Sequence, residues 1–244
     1  MTVAVVAIDG PSGAGKSTVA RRLAAALGWD YLDTGAMYRA IALKADRLGI
    51  ALDDDPGLGL LCRETEISLR RAPDGGLRVV LDGEDVTEAI REHRVSELAS
   101  RVSARLPVRE AMTRYQRRLG EAAPSVLEGR DIGTVVFPDA LVKVFLTASL
   151  EERARRRAQE LMGRGQRVAY EDVLEDLRSR DANDSSREHA PLRPAPGSLQ
   201  IDTTGMNVDE AVGKVIRAVR ACLATSFVPK PPEIFSGEAG GPDR

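Results

Sequence analysis

Histidine and cysteine are nearly missing from this chain, with two of each in 244 residues. Cys62 and Cys222 stand far apart without metal-ligand spacing, which excludes a disulfide scaffold and a zinc knuckle and suits a reducing cytosol. With only His93 and His189, a histidine-built metal site and a Ser-His-Asp triad are set aside. Long apolar runs are lacking as well. None approaches the ~18 residues of a membrane span. The opening MTVAVVAIDG has neither the basic start nor the small-residue cleavage site of a secretory signal, so it reads as a strand. Charge of one sign is not in excess: a net charge of -2 argues against a general nucleic-acid binder. Lysine is scarce, 5 residues against 30 arginines. Arginine's planar fork suits phosphate recognition. A high arginine content is also a genomic habit, so position must decide which arginines matter.

What remains is an ordinary globular balance of 43% hydrophobic and 30% charged residues, long enough for one sizeable core or two small domains. Val3–Asp9 is a continuous apolar run, as in a buried parallel strand. A glycine-rich loop follows, and Ser17–Leu27 then carries helical spacing up to Gly28. Strand, loop and helix in that order open an α/β layout. Trp29–Asp33 reads as a second strand and Ala36–Leu48 as a helix. The runs Glu66–Arg71 and Leu77–Asp82 flank Pro73-Asp74-Gly75-Gly76, a hairpin signal that breaks the βαβ rhythm and marks an insert. Helices are expected at Ser96–Ala104, Val108–Gly120, Leu150–Met162, Tyr170–Asn183 and Val208–Ala224, with strands at Ser125–Glu128, Val142–Thr147 and Leu199–Asp202. The tail from Thr225 to Arg244 is rich in proline and glycine and is expected to be disordered.

Gly10-Pro11-Ser12-Gly13-Ala14-Gly15-Lys16-Ser17 satisfies G-x-x-x-x-G-K-[ST] in full. Such a loop aims successive backbone N–H groups at phosphate oxygens, and the following helix N-terminus adds a favourable dipole. Lys16 can reach the β- and γ-phosphates, and the Ser17 hydroxyl can ligate Mg²⁺. A GTPase would show N-K-x-D, yet the only asparagines are Asn183 and Asn207. The chain is too short for a large motor. A small-molecule kinase fits the size and the arginines.

Ile8–Ser17, Leu32-Asp-Thr-Gly-Ala-Met-Tyr-Arg39, Glu128-Gly-Arg-Asp-Ile-Gly-Thr-Val-Val-Phe-Pro138 and Arg180-Asp-Ala-Asn-Asp-Ser-Ser-Arg187 together resemble the bacterial cytidylate kinases, from about Val3 to Ala224. The resemblance implies an α/β fold: a five-stranded parallel sheet wrapped by helices, a small antiparallel insert and a helical lid. It divides the chain into a core (residues 1–35, 106–150 and 170–224), a nucleoside-monophosphate domain (36–105), a lid (151–169) and the tail (225–244). It implies transfer of the ATP γ-phosphoryl group to CMP or dCMP with Mg²⁺. Nothing in the sequence demands a dimer, so a cytoplasmic monomer that binds neither nucleic acid nor membrane is expected. A uridylate-preferring kinase and a non-catalytic nucleotide-binding module are the alternatives.

The same resemblance assigns roles. Residues Gly10 to Ser17, with Thr18, would bind ATP. Arg39, Arg130 and Arg187 would gather around the acceptor phosphate, beside Thr34 and Tyr38. Arg180 and Asp184 would hold the ribose, although an i,i+4 ion pair is the plainer account of those two. Ser100, Arg109 and Asp131 would contact cytosine. Of the arginines crowding residues 153–157, Arg153 and Arg157, four apart, are expected to act on the transferring phosphoryl group with Lys16, Arg130 and Arg187.

Overall fold

The computed structural model describes residues 3–71, 77–163 and 165–226. Two unlike apolar patterns divide the structure. The first is a set of short strands: β1 (Val5–Asp9), β2 (Asp30–Asp33), β6 (Ser125–Gly129), β7 (Val142–Thr147) and β8 (Leu199–Asp202), of which the edge strands β2 and β8 are only partly buried. They pair in parallel in the order β2-β6-β1-β7-β8. β1 and β6 are buried at every position, as central strands covered by helices must be. One face is covered by α1 (Lys16–Leu27) and α8 (Val208–Ser226), where Leu23, Val215 and Val219 pack onto Val6, Ile8 and Val144. This is the five-stranded sheet expected from the sequence.

The second pattern is the chain inserted between β2 and β6. It comprises α2 (Thr34–Arg47), α3 (Asp55–Arg63), the hairpin β3 (Ile67–Arg71) and β4 (Leu77–Leu81), the two-residue strand β5 (Glu84–Asp85), α4 (His93–Val102) and α5 (Leu106–Gly120). β3, β4 and β5 form the expected antiparallel sheet, registered from Ile67 opposite Leu81 to Arg71 opposite Leu77. The hairpin's turn lies outside the described residues. Met37, Ile41, Leu58, Ile67, Val79, Val95 and Met112 build a separate apolar cluster here, so α5 packs with the insert. Two helices, α6 (Leu150–Gly163) and α7 (Tyr170–Ser186), share a third cluster around Ala154, Leu161 and Leu177.

The differences from expectation are local. Helix α3 falls where no element was read, and a π-helical turn at Ile132–Val136 follows β6. Helix α2 begins two residues early, at Thr34, because Asp33 caps it by accepting from Ala36 N at 2.9 Å. Helix α8 runs to Ser226, so the first two residues of the expected tail are helical; the rest of the tail lies outside the described residues.

Candidate active site

The carboxyl ends of β1, β2 and β6 open onto one cleft of about 1110 Å³, the position where open α/β sheets bind ligands. On one side stands the phosphate loop, with residues 12–18 facing the cleft. Gly10 and Pro11 back it instead. A side chain at Gly10 would put Cβ 1.9 Å from the Leu146 carbonyl oxygen of β7, so the strand end passes only a glycine. Lys16 donates from Nζ to Pro11 O at 2.8 Å and is buried. Burial, and then the Arg130 charge, push its ammonium down to about 7.

Four arginines converge on the cleft: Arg39 from α2, Arg130 after β6, Arg180 from α7 and Arg187 just past it. They are held by fewer acids than they need. Arg39 Nη2 donates to Asp33 at 3.0 Å. Arg130 Nε donates to Asp184 Oδ2 at 2.8 Å, and Arg187 donates to the other oxygen of the same carboxylate. Asp184 thus pairs with Arg130 and Arg187, not with Arg180 four residues before it. Burial raises the Asp184 carboxyl, but the Arg130, Arg187 and Arg180 charges outweigh it and hold the group below the usual carboxylate range. Arg39 Nε and Arg180 Nε are buried with no acceptor among the described residues. Burial, and then Arg130, press the Arg180 guanidinium down to about 10. Such a cluster is repulsive until an anion enters it.

Deeper in the cleft, Arg109 of α5 and Asp131 form a buried ion pair. Arg109 Nη1 also donates to Ser103 O at 3.1 Å. Burial raises the Asp131 carboxyl despite the opposing Arg109 and Arg187 charges. Thr34 and Tyr38 line the same region. Ser100 does not; it faces a neighbouring cavity of about 250 Å³, while Ser103 takes the place on the main cleft.

Arg153 and Arg157 part company. Arg157 faces the cleft and pairs with Glu160 at 2.9 Å. Arg153 lies outside the cleft lining, 5% exposed, with its guanidinium bonded to Ala148 O, Ser12 O and Asp181. It is placed behind the phosphate loop, against the expectation that it faces the transferring group. Arg156, not singled out from the sequence, lines the cleft and donates to Thr203 Oγ1 at 3.0 Å and Thr203 O at 2.7 Å.

Two carboxylates also escaped the sequence reading. Glu128, at the end of β6, is buried beside Ser17, whose hydroxyl donates to it, and accepts from Tyr31 Oη at 2.5 Å. Burial and then the Asp33 charge raise its carboxyl. Asp9 ends β1 and accepts from Ile132 N at 2.8 Å and Gly133 N at 2.7 Å, tying down the turn that carries Arg130 and Asp131. Burial pushes it up to about 7. The available signal was an acid closing an apolar strand ahead of a cleft.

A family model described as cytidylate kinase matches residues 6–221. Proteins named cytidylate kinase from Geobacter sp. (strain M21) and Caldanaerobacter subterraneus subsp. tengcongensis are 51% and 52% identical over 221 and 215 residues. Those alignments cover 90% and 88% of this chain and 94% of each relative. Among solved structures, an uncharacterized protein from Eubacterium ventriosum ATCC 27560 superposes with a TM-score of 0.51 at 12% identity, over 89% of this chain and 99% of that one, a likeness of fold alone. Half the residues agree over almost the full length of the relatives, and the matched span takes in the phosphate loop and the arginine cluster: the chain belongs to the cytidylate kinase family.

Proposed function

We propose that this chain transfers the γ-phosphoryl group of ATP to CMP or dCMP, giving CDP or dCDP. The observation that carries the reading is the convergence, in one cleft, of a phosphate loop, four arginines, two of them with a buried Nε that lacks an acceptor, and a buried Arg109–Asp131 pair. The donor phosphates would lie along residues 12–18, with Lys16 exchanging its bond to Pro11 O for phosphate oxygens. Arg39, Arg130 and Arg187 would receive the acceptor phosphate bidentately, and Arg180 with Asp184 the ribose. Asp131 only accepts and Arg109 only donates. Cytosine offers an amine to the first and N3/O2 to the second; uracil reverses the amine position.

Magnesium fits the donor set. The Ser17 hydroxyl and the Glu128 carboxylate are adjacent hard oxygens at the cleft floor, and they would hold the ion, which supplies charge neutralisation at the phosphates when bound. The residues of the chain do the rest by placement: the cleft aligns two anions, arginine charge screens their repulsion, and no covalent intermediate is needed. Arg157 would join the transferring phosphoryl group from α6. On this reading one chain supplies every group named, which supports a monomer; among the described residues no helix is long and apolar enough to cross a membrane.

A coupled ADP-release assay with each nucleoside monophosphate tests this. Turnover is expected with CMP and dCMP, and far less with UMP. Turnover confined to UMP or GMP would overturn it.

A further inference from the structure

Arg153 uses all three nitrogens of its guanidinium in hydrogen bonds, yet its side chain does not enter the cleft. Its Nε donates to Ala148 O at 3.0 Å, Nη1 to Ser12 O at 3.1 Å and Nη2 to Asp181 Oδ2 at 2.6 Å. The guanidinium therefore spans three segments: the end of β7, the phosphate loop and α7. Contact with the loop is close along the backbone too. Gly13 has φ +78, and a Cβ there would lie 3.0 Å from Arg153 Cβ and 3.1 Å from Arg153 O.

The bond to Ser12 O has a directional consequence. The Ser12 carbonyl and the Gly13 N–H belong to one planar trans peptide and point in opposite directions. Arg153 holds the carbonyl from behind the loop, while Gly13 faces the cleft. Fixing the oxygen outward aims the Gly13 N–H inward, where a phosphate would sit. A preset N–H is worth more than a mobile one because no reorientation is needed when charge arrives. Asp181, in turn, accepts from Nη2 of that guanidinium.

We infer that Arg153, anchored by Asp181, is a positioning residue that presets the Ser12–Gly13 peptide for the donor's β-phosphate and does not touch the transferring group. The inference rests on the reading of residues 12–18 as the ATP cradle, whose loop amides serve the inner phosphates. ADP, which has the β-phosphate and lacks the transferring one, separates the two roles.

The test is ADP and ATP affinity by calorimetry, with steady-state kinetics, in Arg153→Lys and Asp181→Asn. Lysine serves one acceptor at a time and cannot span three. In Arg153→Lys, ADP and ATP affinities are expected to fall together, each about tenfold, the worth of roughly one hydrogen bond. Asp181→Asn should shift both the same way by a smaller factor. The KM for CMP and kcat at saturating ATP should stay within about threefold. A purely packing role would lower the melting temperature without this ADP signature. Unchanged ADP affinity with kcat down ~10² would place Arg153 on the transferring phosphoryl group and overturn the inference. Unchanged values throughout would overturn it too, and Asp181→Asn decides alone where Arg153→Lys does not fold. Lys16→Met keeps the premise separate: if that variant leaves ADP affinity intact, the cradle reading itself is wrong.

Discussion

Lys16 sits where a cation is least comfortable, buried beside Arg130 with its ammonium pressed down to about 7. Bound phosphates would restore its charge, so ATP binding above pH 7 should take up a proton. Affinity is then expected to fall by up to about tenfold per pH unit above neutrality. Calorimetry in buffers of different ionisation enthalpy measures that proton, and Lys16→Met should abolish it and cut turnover by at least ~10². On the proposed function, Asp131 would carry the base preference. Asp131→Asn can donate to the uracil carbonyl, so the CMP:UMP ratio of kcat/KM should collapse from roughly 10²–10⁴ towards unity; equal loss on both substrates would reduce the residue to a partner of Arg109. At this scale the motif residues were legible because their spacing is rigid. Arg153 was not: a four-residue interval places it and Arg157 on one side of a helix, but what that side meets is decided by Ser12 and Asp181, which are 141 and 28 positions away.

Elements with strong periodicity were legible, and β1, the loop and α1 could be read directly. Helix α3 was hidden by its composition. Pro56, Gly57 and Gly59 are poor helix formers, yet Asp54 accepts from Gly57 N at 3.0 Å, Pro56 occupies the first turn, and Leu58, Leu61 and Cys62 are buried in the insert's core. Tertiary burial overrides weak propensity here. Asp54→Ala should remove the cap and cost ~1 kcal/mol in urea denaturation with activity at full occupancy preserved. Leu58→Ala, at a side chain with 0% exposure, should cost about 2–5 kcal/mol. A loss below 0.5 kcal/mol in either would show that the helix does not depend on these anchors. The π-helical turn at Ile132–Val136 was illegible for another reason: its shape follows from Asp9, more than a hundred residues earlier in the chain, gripping two of its N–H groups.

For the molecule as a whole, acidic and basic residues nearly cancel, while the cleft concentrates arginine. Stability is expected to reflect what lies under that cleft. Asp9 has a folded pKa near 7 against 3.8 for the ordinary group. The folded state therefore holds a proton that the unfolded chain has released, and this contribution, intact below pH 3.8, is lost as pH rises towards 7. Asp9→Asn removes the titration, so the stability gap between wild type and variant should change between pH 4 and 7 and stay constant above it; urea midpoints at pH 5 and pH 7.5 measure this. The parallel order of the sheet has a further consequence, for synthesis. β1 is the third-placed, central strand, but both its neighbours, β6 and β7, come from the second half of the chain. A ribosome adding ~5–20 residues per second needs on the order of ten seconds between releasing Val5–Asp9 and completing Ser125–Gly129. Through that interval β1, buried at every position once folded, has no partner, while the insert between them builds an apolar cluster of its own. The inserted segment is therefore expected to fold before the parallel sheet closes, and β1 is the segment that a chaperone arriving during translation would find exposed.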